Sequence, residues 1–319
     1  MTAVSEITGK NRDLPGRPNR AKNPWLRQSA GDKIFDVVVF VLVLVTTLCI
    51  LYPLYFVVIA SFSDPGLVQS GQVLLLPKGL TVEGYRYIFK DHRIWTGYRN
   101  TFLYTVGGAL IALLLTIPAG FALSNKKLKG RNAIMMIFLF TMYFSGGMIP
   151  GYLIVKDLHL LDTYWVLMLM GSFSVYNLIV TRTFFQSTLP PELEEAAQID
   201  GCGIMRYFVS IVLPLSKPII AIMALYYAVG HWNDFFNGLI YVNRQELFPL
   251  QLILRDILLR GQAVQAAGVT DPAQLKLMQQ IALTIKYGVI IVSSLPILLF
   301  YPFVQKYFVK GVMIGSVKG

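Results

Sequence analysis

Six long apolar stretches, nearly free of charge, alternate with polar segments along the chain, at residues 37–60, 101–124, 133–154, 164–181, 218–241 and 287–304. At a helical rise of ~1.5 Å per residue, about 20 apolar residues cross ~30 Å of hydrocarbon. The pattern therefore predicts an all-α integral membrane protein with six transmembrane helices. The fourth and sixth stretches are short but cleanly bounded, by Asp162 and Arg182 and by Lys286 and Lys306. The fifth is unusual in holding His231 and Asp234. Prolines and glycines interrupt several stretches: Pro53, Pro118, Pro296 and the run Ser145-Gly146-Gly147-Met148-Ile149-Pro150-Gly151. Broken backbone at membrane depth survives only where protein or a water-filled cavity satisfies the freed groups. Each break fits either a kinked helix in a packed bundle or a helix lining a pathway.

Six spans put both termini on one side of the membrane, and the basic residues choose which. Segments 1–33, 125–133, 182–217 and 305–319 hold 17 Lys and Arg, against 10 in segments 62–99, 155–163 and 242–283. The short loop carrying Lys126, Lys127, Lys129 and Arg131 weighs most, because the positive-inside bias is strongest for short loops. Both termini are expected in the cytoplasm. The predicted layout is an amino-terminal tail (1–33) and a transmembrane domain (34–307), followed by a cytoplasmic carboxyl-terminal tail (308–319). Within the domain lie a cytoplasmic loop at 186–214 and outer loops at 62–99 and 242–283. The amino-terminal tail is charged and poor in apolar residues, which predicts disorder unless a partner holds it. A long polar lead followed by a full-length apolar run is not a secretory signal.

Composition narrows the classes further. The chain is 55% hydrophobic and 14% charged, with a mean hydropathy of +0.57. Soluble domains carry about 25% charged residues. The net charge of +11 sits mostly between apolar stretches, so it reports topology rather than nucleic-acid binding. Cys49 and Cys202 lie far apart, and His92, His159 and His231 show no ligand spacing, so neither a disulfide framework nor a metal site is predicted. No Walker A loop, GxSxG elbow or HExxH helix occurs, which predicts neither an ATP site nor catalytic residues on this chain.

The most informative segment joins stretches four and five. It reads Leu189-Pro190-Pro191-Glu192-Leu193-Glu194-Glu195-Ala196-Ala197-Gln198-Ile199-Asp200-Gly201 and continues from Cys202-Gly203 to Leu213-Pro214. Proline suits a first helical turn. Glu192, Glu194 and Glu195 then fall near the helix amino end, where negative charge is favoured by ~0.3–1 kcal/mol each. Ala196 and Ala197 are small enough to let another surface approach the backbone, and Gly201 and Gly203 permit a sharp reversal. A short helix, a tight turn and a second helix are predicted on the cytoplasmic face. Two readings of the acids, Asp200 included, stay open here. They cap and solubilise the helix, or they form an acidic knob for a basic socket on a soluble partner.

Glu195-Ala196-Ala197, three residues, Gly201, nine residues, Ile211, one residue and Leu213-Pro214 resemble the EAA motif of ABC importer permeases at every defining position. The six-span layout extends the likeness to the MalG-like sugar permeases. So do His231-Trp232-Asn233-Asp234 and the endings Phe308-Val309-Lys310-Gly311 and Gly315-Ser316-Val317-Lys318-Gly319. Within them the chain looks closest to the branch typified by LplC and YtcP, associated with complex or uronate-containing oligosaccharides. The resemblance implies a type I importer permease in which Glu195, Ala196, Ala197, Asp200 and Gly201 contact the ATPase subunit. It implies a second homologous permease, a homodimeric ATPase holding ATP and Mg, an extracytoplasmic solute-binding protein and a saccharide cargo. This chain would hold no cofactor of its own.

Stretch five also offers Tyr226, Tyr227, His231, Trp232, Asn233, Asp234 and Asn237 as sugar-facing groups. Polar side chains at membrane depth are costly unless they face a cavity or one another. Stacking and hydroxyl binding, or hydrogen-bonded packing between subunits, both account for them. Residues 248–260 look helical and amphipathic, suited either to sealing the outer face of the bundle or, as the resemblance implies, to reaching the binding protein. Two rivals stand beside the sugar reading. One is the same scaffold with a non-sugar cargo. The other is a self-contained secondary transporter using His231 and Asp234 as a relay, which would transport without an ATPase.

Overall fold

The computed structural model describes residues 29–266, 285–299 and 302, and every regular element among them is helical. Most of the amino-terminal tail (1–28), the last part of the outer loop (267–283) and the whole carboxyl-terminal tail (308–319) lie outside the described residues. The chain divides into two compact units between Phe56 and Val57. The described part of the first unit belongs to α1 (Ala30–Ser61), an apolar helix containing Pro53. At ~1.5 Å per residue it extends about 48 Å, enough to cross a bilayer.

In the second unit, α2 (Pro65–Gln69) and α3 (Glu83–Lys90) lead into α4 (His92–Ser124). Pro118 is accommodated inside α4. This helix is the hub, packing against α7 (Tyr164–Leu169), α8 (Val175–Thr188), α12 (Lys217–Trp232) and α14 (Leu250–Ala266). It can do so because small residues bring backbones together, a device that replaces hydrophobic driving force between helices in lipid. A Cβ added at Gly108 would lie 2.4 Å from Nε2 of His231 on α12, and one at Gly120 would lie 2.6 Å from Thr181 on α8.

Among the described residues, two helices are singly long and apolar enough to cross a membrane, and two further bent pairs pass together. Stretch three is one of these pairs: the path bends by 111° between α5 (Arg131–Tyr143) and α6 (Met148–Asp157) across 144–147, where Gly147 takes φ +88°. Stretch four, expected as one helix over 164–181, is broken between α7 and α8 and runs on to Thr188. Gly171 turns the chain at φ +79°, and Ser174 Oγ restarts the helix by accepting from the Asn177 amide. Stretch five is likewise broken, between α12 and α13 (Phe236–Tyr241). Asp234 accepts from the Asn237 amide at that restart. The sixth stretch is a helix, α15, over Ile285–Leu299.

The amphipathic segment expected at 248–260 is the beginning of α14. Leu250, Ile253 and Leu254 are buried in one cluster with Ile94, Trp232, Ile285, Val289 and Val292. Arg93 ties this end of α4 to α14 through Asp256 at 2.9 Å, while also holding Asp91 at 2.7 Å. Those carboxylates, Asp91 first, raise the Arg93 guanidinium above its ordinary value.

Candidate functional site

Two regions interrupt the apolar bundle with polar groups. The first is the elbow. Pro190 caps α9 (Pro191–Ile199), and Pro191 occupies its first turn, where a missing amide costs nothing. Gly201 reverses the chain at φ +71°, a conformation that disfavours side chains with a Cβ. The return begins at α10 (Ile204–Tyr207), passes through a π-turn (Phe208–Val212) and ends at α11 (Leu213–Leu215). The path then bends by 79° into α12. Gly203 is not the second reversal point expected of it; its φ of −67° is open to any residue.

The elbow sorts its motif residues onto two sides. Glu195, Ala196, Asp200 and Gly201 are exposed. Ala197, expected beside Ala196 at the outer contact, is only 6% exposed and packs in a cluster with Phe185, Tyr207 and Val212. Helical geometry explains the correction, since adjacent residues lie about 100° apart around the axis. Glu194 also turns back on the chain: its carboxylate accepts from Lys127 Nζ at 3.1 Å, Gln198 Nε2 at 2.9 Å and Asn125 Nδ2 at 3.5 Å. Burial first, and then the Glu194 charge, push the Tyr207 phenol up. Sequence reasoning missed three exposed apolar residues at the tip. Ile199 is 87% exposed, Ile204 60% and Met205 72%, so the exposed surface of the knob combines apolar side chains with the acids Glu195 and Asp200.

The second region is a half-open cavity of about 410 Å³ between helices of the bundle, within the ~300–1,000 Å³ usual for ligand pockets. Two helix breaks build it. Met170, Gly171, Ser174 and Asn177 come from the α7–α8 break, and Tyr226, Tyr227, Gly230, His231, Asn233, Asp234 and Asn237 from the α12–α13 break. Six of the seven expected pathway residues are thus brought together. Trp232 is not among them; its ring packs near Tyr98 and its indole N–H donates to the Ser293 carbonyl at 3.0 Å. The contribution of stretch four was missed, although Ser172, Ser174 and Asn177 in an apolar run were a readable sign.

The cavity wall is internally braced. Tyr227 Oη lies 2.7 Å from Thr116 Oγ1 and accepts from the Ser174 amide at 3.3 Å. Asp234 Oδ2 accepts from Asn237 Nδ2 at 2.8 Å, and Oδ1 from the Asn237 amide at 3.1 Å. Asn233 Nδ2 donates to the Val229 carbonyl. His231 is 5% exposed, and its buried Nε2 has no hydrogen-bond partner among the described residues. Beyond the cavity, Asp162 accepts from the amides of Asn243 and Arg244, which clasps the start of the fourth stretch to the end of the fifth.

A helical membrane bundle with broken helices around a polar cavity is the architecture of a solute permease. The chain belongs to the family of binding-protein-dependent transport system inner membrane components, whose profile matches residues 93–314. It is similar to protein LplC of Bacillus subtilis (strain 168), with 39% identity over 92% of this chain and 98% of that protein. It resembles equally the polygalacturonan/rhamnogalacturonan transport system permease protein YtcP of the same strain, with 39% identity over 90% of this chain and 99% of YtcP. Among solved structures, a chain of a bacterial ABC transporter involved in the import of the acidic polysaccharide alginate superposes with a TM-score of 0.77. Its identity is 32%, over 88% of this chain and 99% of that one.

Proposed function

We propose that this chain is the transmembrane permease subunit of a bacterial ABC importer for sugars or oligosaccharides, with six spans and both termini in the cytoplasm. The names of its relatives support a carbohydrate cargo: one carries polygalacturonan and rhamnogalacturonan, and the solved neighbour is involved in alginate import. The chain works beside a second permease, a homodimeric ATPase that holds ATP and Mg, and an extracytoplasmic solute-binding protein. No cofactor is assigned to this chain itself.

The observation that carries the reading is the elbow, which exposes acids together with apolar side chains on either side of a left-handed glycine. An apolar point anchors well in a cleft, and rim charges set orientation and partner choice. Glu195, Ala196, Asp200 and Gly201 are the contact residues in this reading. Ala197 supports them from behind by fixing α9 on the core. Closure of the ATPase dimer moves the elbow, and the attached α12 transmits that motion to the cavity wall. Binding energy at a distant site thus shifts a two-state membrane equilibrium.

The test is reconstitution of the complete transporter in vesicles with Glu195→Lys in this chain. Insertion and ATP hydrolysis are expected to persist while saccharide uptake falls at least about tenfold, the loss expected from one reversed charge in a desolvated contact. Normal uptake by the variant would remove the docking role. Thiol labelling of Glu195→Cys by a membrane-impermeant reagent checks the orientation, and reactivity from the outer side would end the importer reading.

A further inference from the structure

Among the described residues, the cavity lining contains one carboxylate, that of Asp234, and neither Lys nor Arg. The polar contacts recorded for its two oxygens come from one residue, the neutral amides of Asn237. The other lining polar groups are the hydroxyls and carboxamides of Ser174, Asn177, Tyr226, Tyr227 and Asn233 and the buried imidazole of His231, three residues before Asp234. A carboxylate oxygen has about two lone-pair sites, so Asp234 retains acceptor capacity after both Asn237 bonds. Such a wall accepts from hydroxyl donors and repels a second carboxylate, because juxtaposed like charges disfavour binding.

Resting on the reading of this cavity as part of the sugar path, we propose that it takes the neutral, hydroxyl-bearing edge of the glycan. Asp234 is its specificity-determining residue, set against carboxylates. An acidic saccharide passing this wall would turn its uronate groups away from α12 and α13. This separates two jobs that a polyuronate cargo demands: hydroxyl recognition falls to this chain, and accommodation of negative charge falls to surfaces outside this cavity.

The experiment compares two probes of equal length, a galactose trimer and a galacturonate trimer, binding to the complete permease–ATPase complex in lipid nanodiscs. The readout is the ratio of their affinities. Asp234→Asn removes the charge and keeps an oxygen acceptor for the Asn237 amide, so the local helix start is retained. It is expected to shift the ratio about tenfold toward the galacturonate trimer, the effect of relieving one like-charge pair at an intermediate dielectric. Asn233→Asp, at an exposed position on the same wall, is expected to shift the ratio the opposite way and guards against a folding defect in the first variant.

An unmoved ratio in both variants, or movement toward the neutral trimer with Asp234→Asn, would overturn the proposal while leaving saccharide import intact. Loss of all saccharide uptake by the wild-type transporter would instead strike the function proposed above. Binding of neither trimer to the wild-type complex would remove the cavity from the sugar path and the specificity assignment with it.

Discussion

The elbow and the cavity wall both place polar residues inside a chain built for hydrocarbon, but they are held in opposite ways. At the elbow the exposed acids Glu195 and Asp200 lie close together in sequence, while Ala197, Tyr207 and Val212 are buried beneath the turn. The shape depends on that apolar floor, and the exposed groups are spare to folding. At the cavity, the polar groups come from two helix breaks about sixty residues apart, and the groups that brace the wall also line it. Tyr227 reaches both α4 and the α7–α8 break, and His231 fills the space that Gly108 leaves. A partner-docking surface can therefore vary its chemistry at little cost to the fold. A cavity assembled from broken helices cannot.

The sharpest way to break this contrast is to overfill the His231 seat. A Cβ at position 108 would meet Nε2 at 2.4 Å and Cε1 at 2.5 Å of a ring that is 5% exposed. Overpacking of this kind costs ~1–3 kcal/mol and sometimes more. Gly108→Leu is expected to lower the thermal midpoint of the detergent-solubilised protein strongly and to abolish transport. Gly108→Ala should do so in part, and His231→Ala added to Gly108→Ala should recover stability. A fully stable Gly108→Leu would show that the wall is more plastic than its packing implies.

Next in size is Tyr227→Phe. It leaves the wholly buried Thr116 hydroxyl without its 2.7 Å partner and frees the Ser174 amide. An orphaned buried polar group costs ~1–3 kcal/mol, whereas removing both partners can be nearly neutral. Thr116→Val combined with Tyr227→Phe should therefore be more stable than Tyr227→Phe alone, as judged by the same thermal midpoint. A double variant worse than the single would mean that the brace is not the pair.

The difference between the regions also governs what could be read from the sequence. The helical class, the elbow and its reversal at Gly201 were legible because each depends on local grammar: apolar length, prolines at a helix start and a glycine in a turn. The inward turn of Ala197 follows from helical periodicity once the buried floor is known, but the floor includes Phe185 from α8, which no local pattern ties to α9. Most of the polar cavity set on α12 and α13 was legible, because His231, Asn233 and Asp234 are anomalous in an apolar run. Met170, Gly171, Ser174 and Asn177 were not joined to them, since the two breaks meet only in the tertiary fold, where Tyr227 Oη accepts from the Ser174 amide. Trp232 was misplaced for a similar reason: its neighbours His231 and Asn233 line the cavity, but a helix turns it toward Tyr98 and Ser293.

A smaller effect is expected where the clasp outside the cavity is titrated. The amides of Arg244 and Asn243 hold the Asp162 carboxyl below its ordinary range in the folded chain. The unfolded chain therefore binds this proton more readily, and the clasp contributes fully above the unfolded carboxylate value of ~3.9. That contribution is lost as acid carries the pH down through the lower folded value. Asp162→Asn should flatten the acid limb of a thermal-midpoint profile and leave the neutral region little changed apart from a small uniform loss. An unaltered acid limb would assign the acid sensitivity to other carboxylates.

The smallest effect separates two neighbouring acids on the elbow. Glu194 is engaged within the chain, but its cationic partner Lys127 is 61% exposed, and exposed ion pairs contribute ~0–1 kcal/mol. Glu195 is exposed on the adjoining side of α9, and the docking reading assigns it to the ATPase. Glu194→Ala should thus lower the thermal midpoint slightly, by an amount that shrinks as salt is raised, and leave coupled uptake near wild type. Glu195→Ala should leave the midpoint unchanged and weaken uptake per ATP hydrolysed. The two acids are one residue apart, so a general loss of elbow charge would affect both variants alike. Only an elbow with distinct inner and outer sides gives opposite patterns. Equal losses of coupling in both would mean that Glu194 also reaches the partner, and that its bonds to Lys127, Gln198 and Asn125 give way when the ATPase docks.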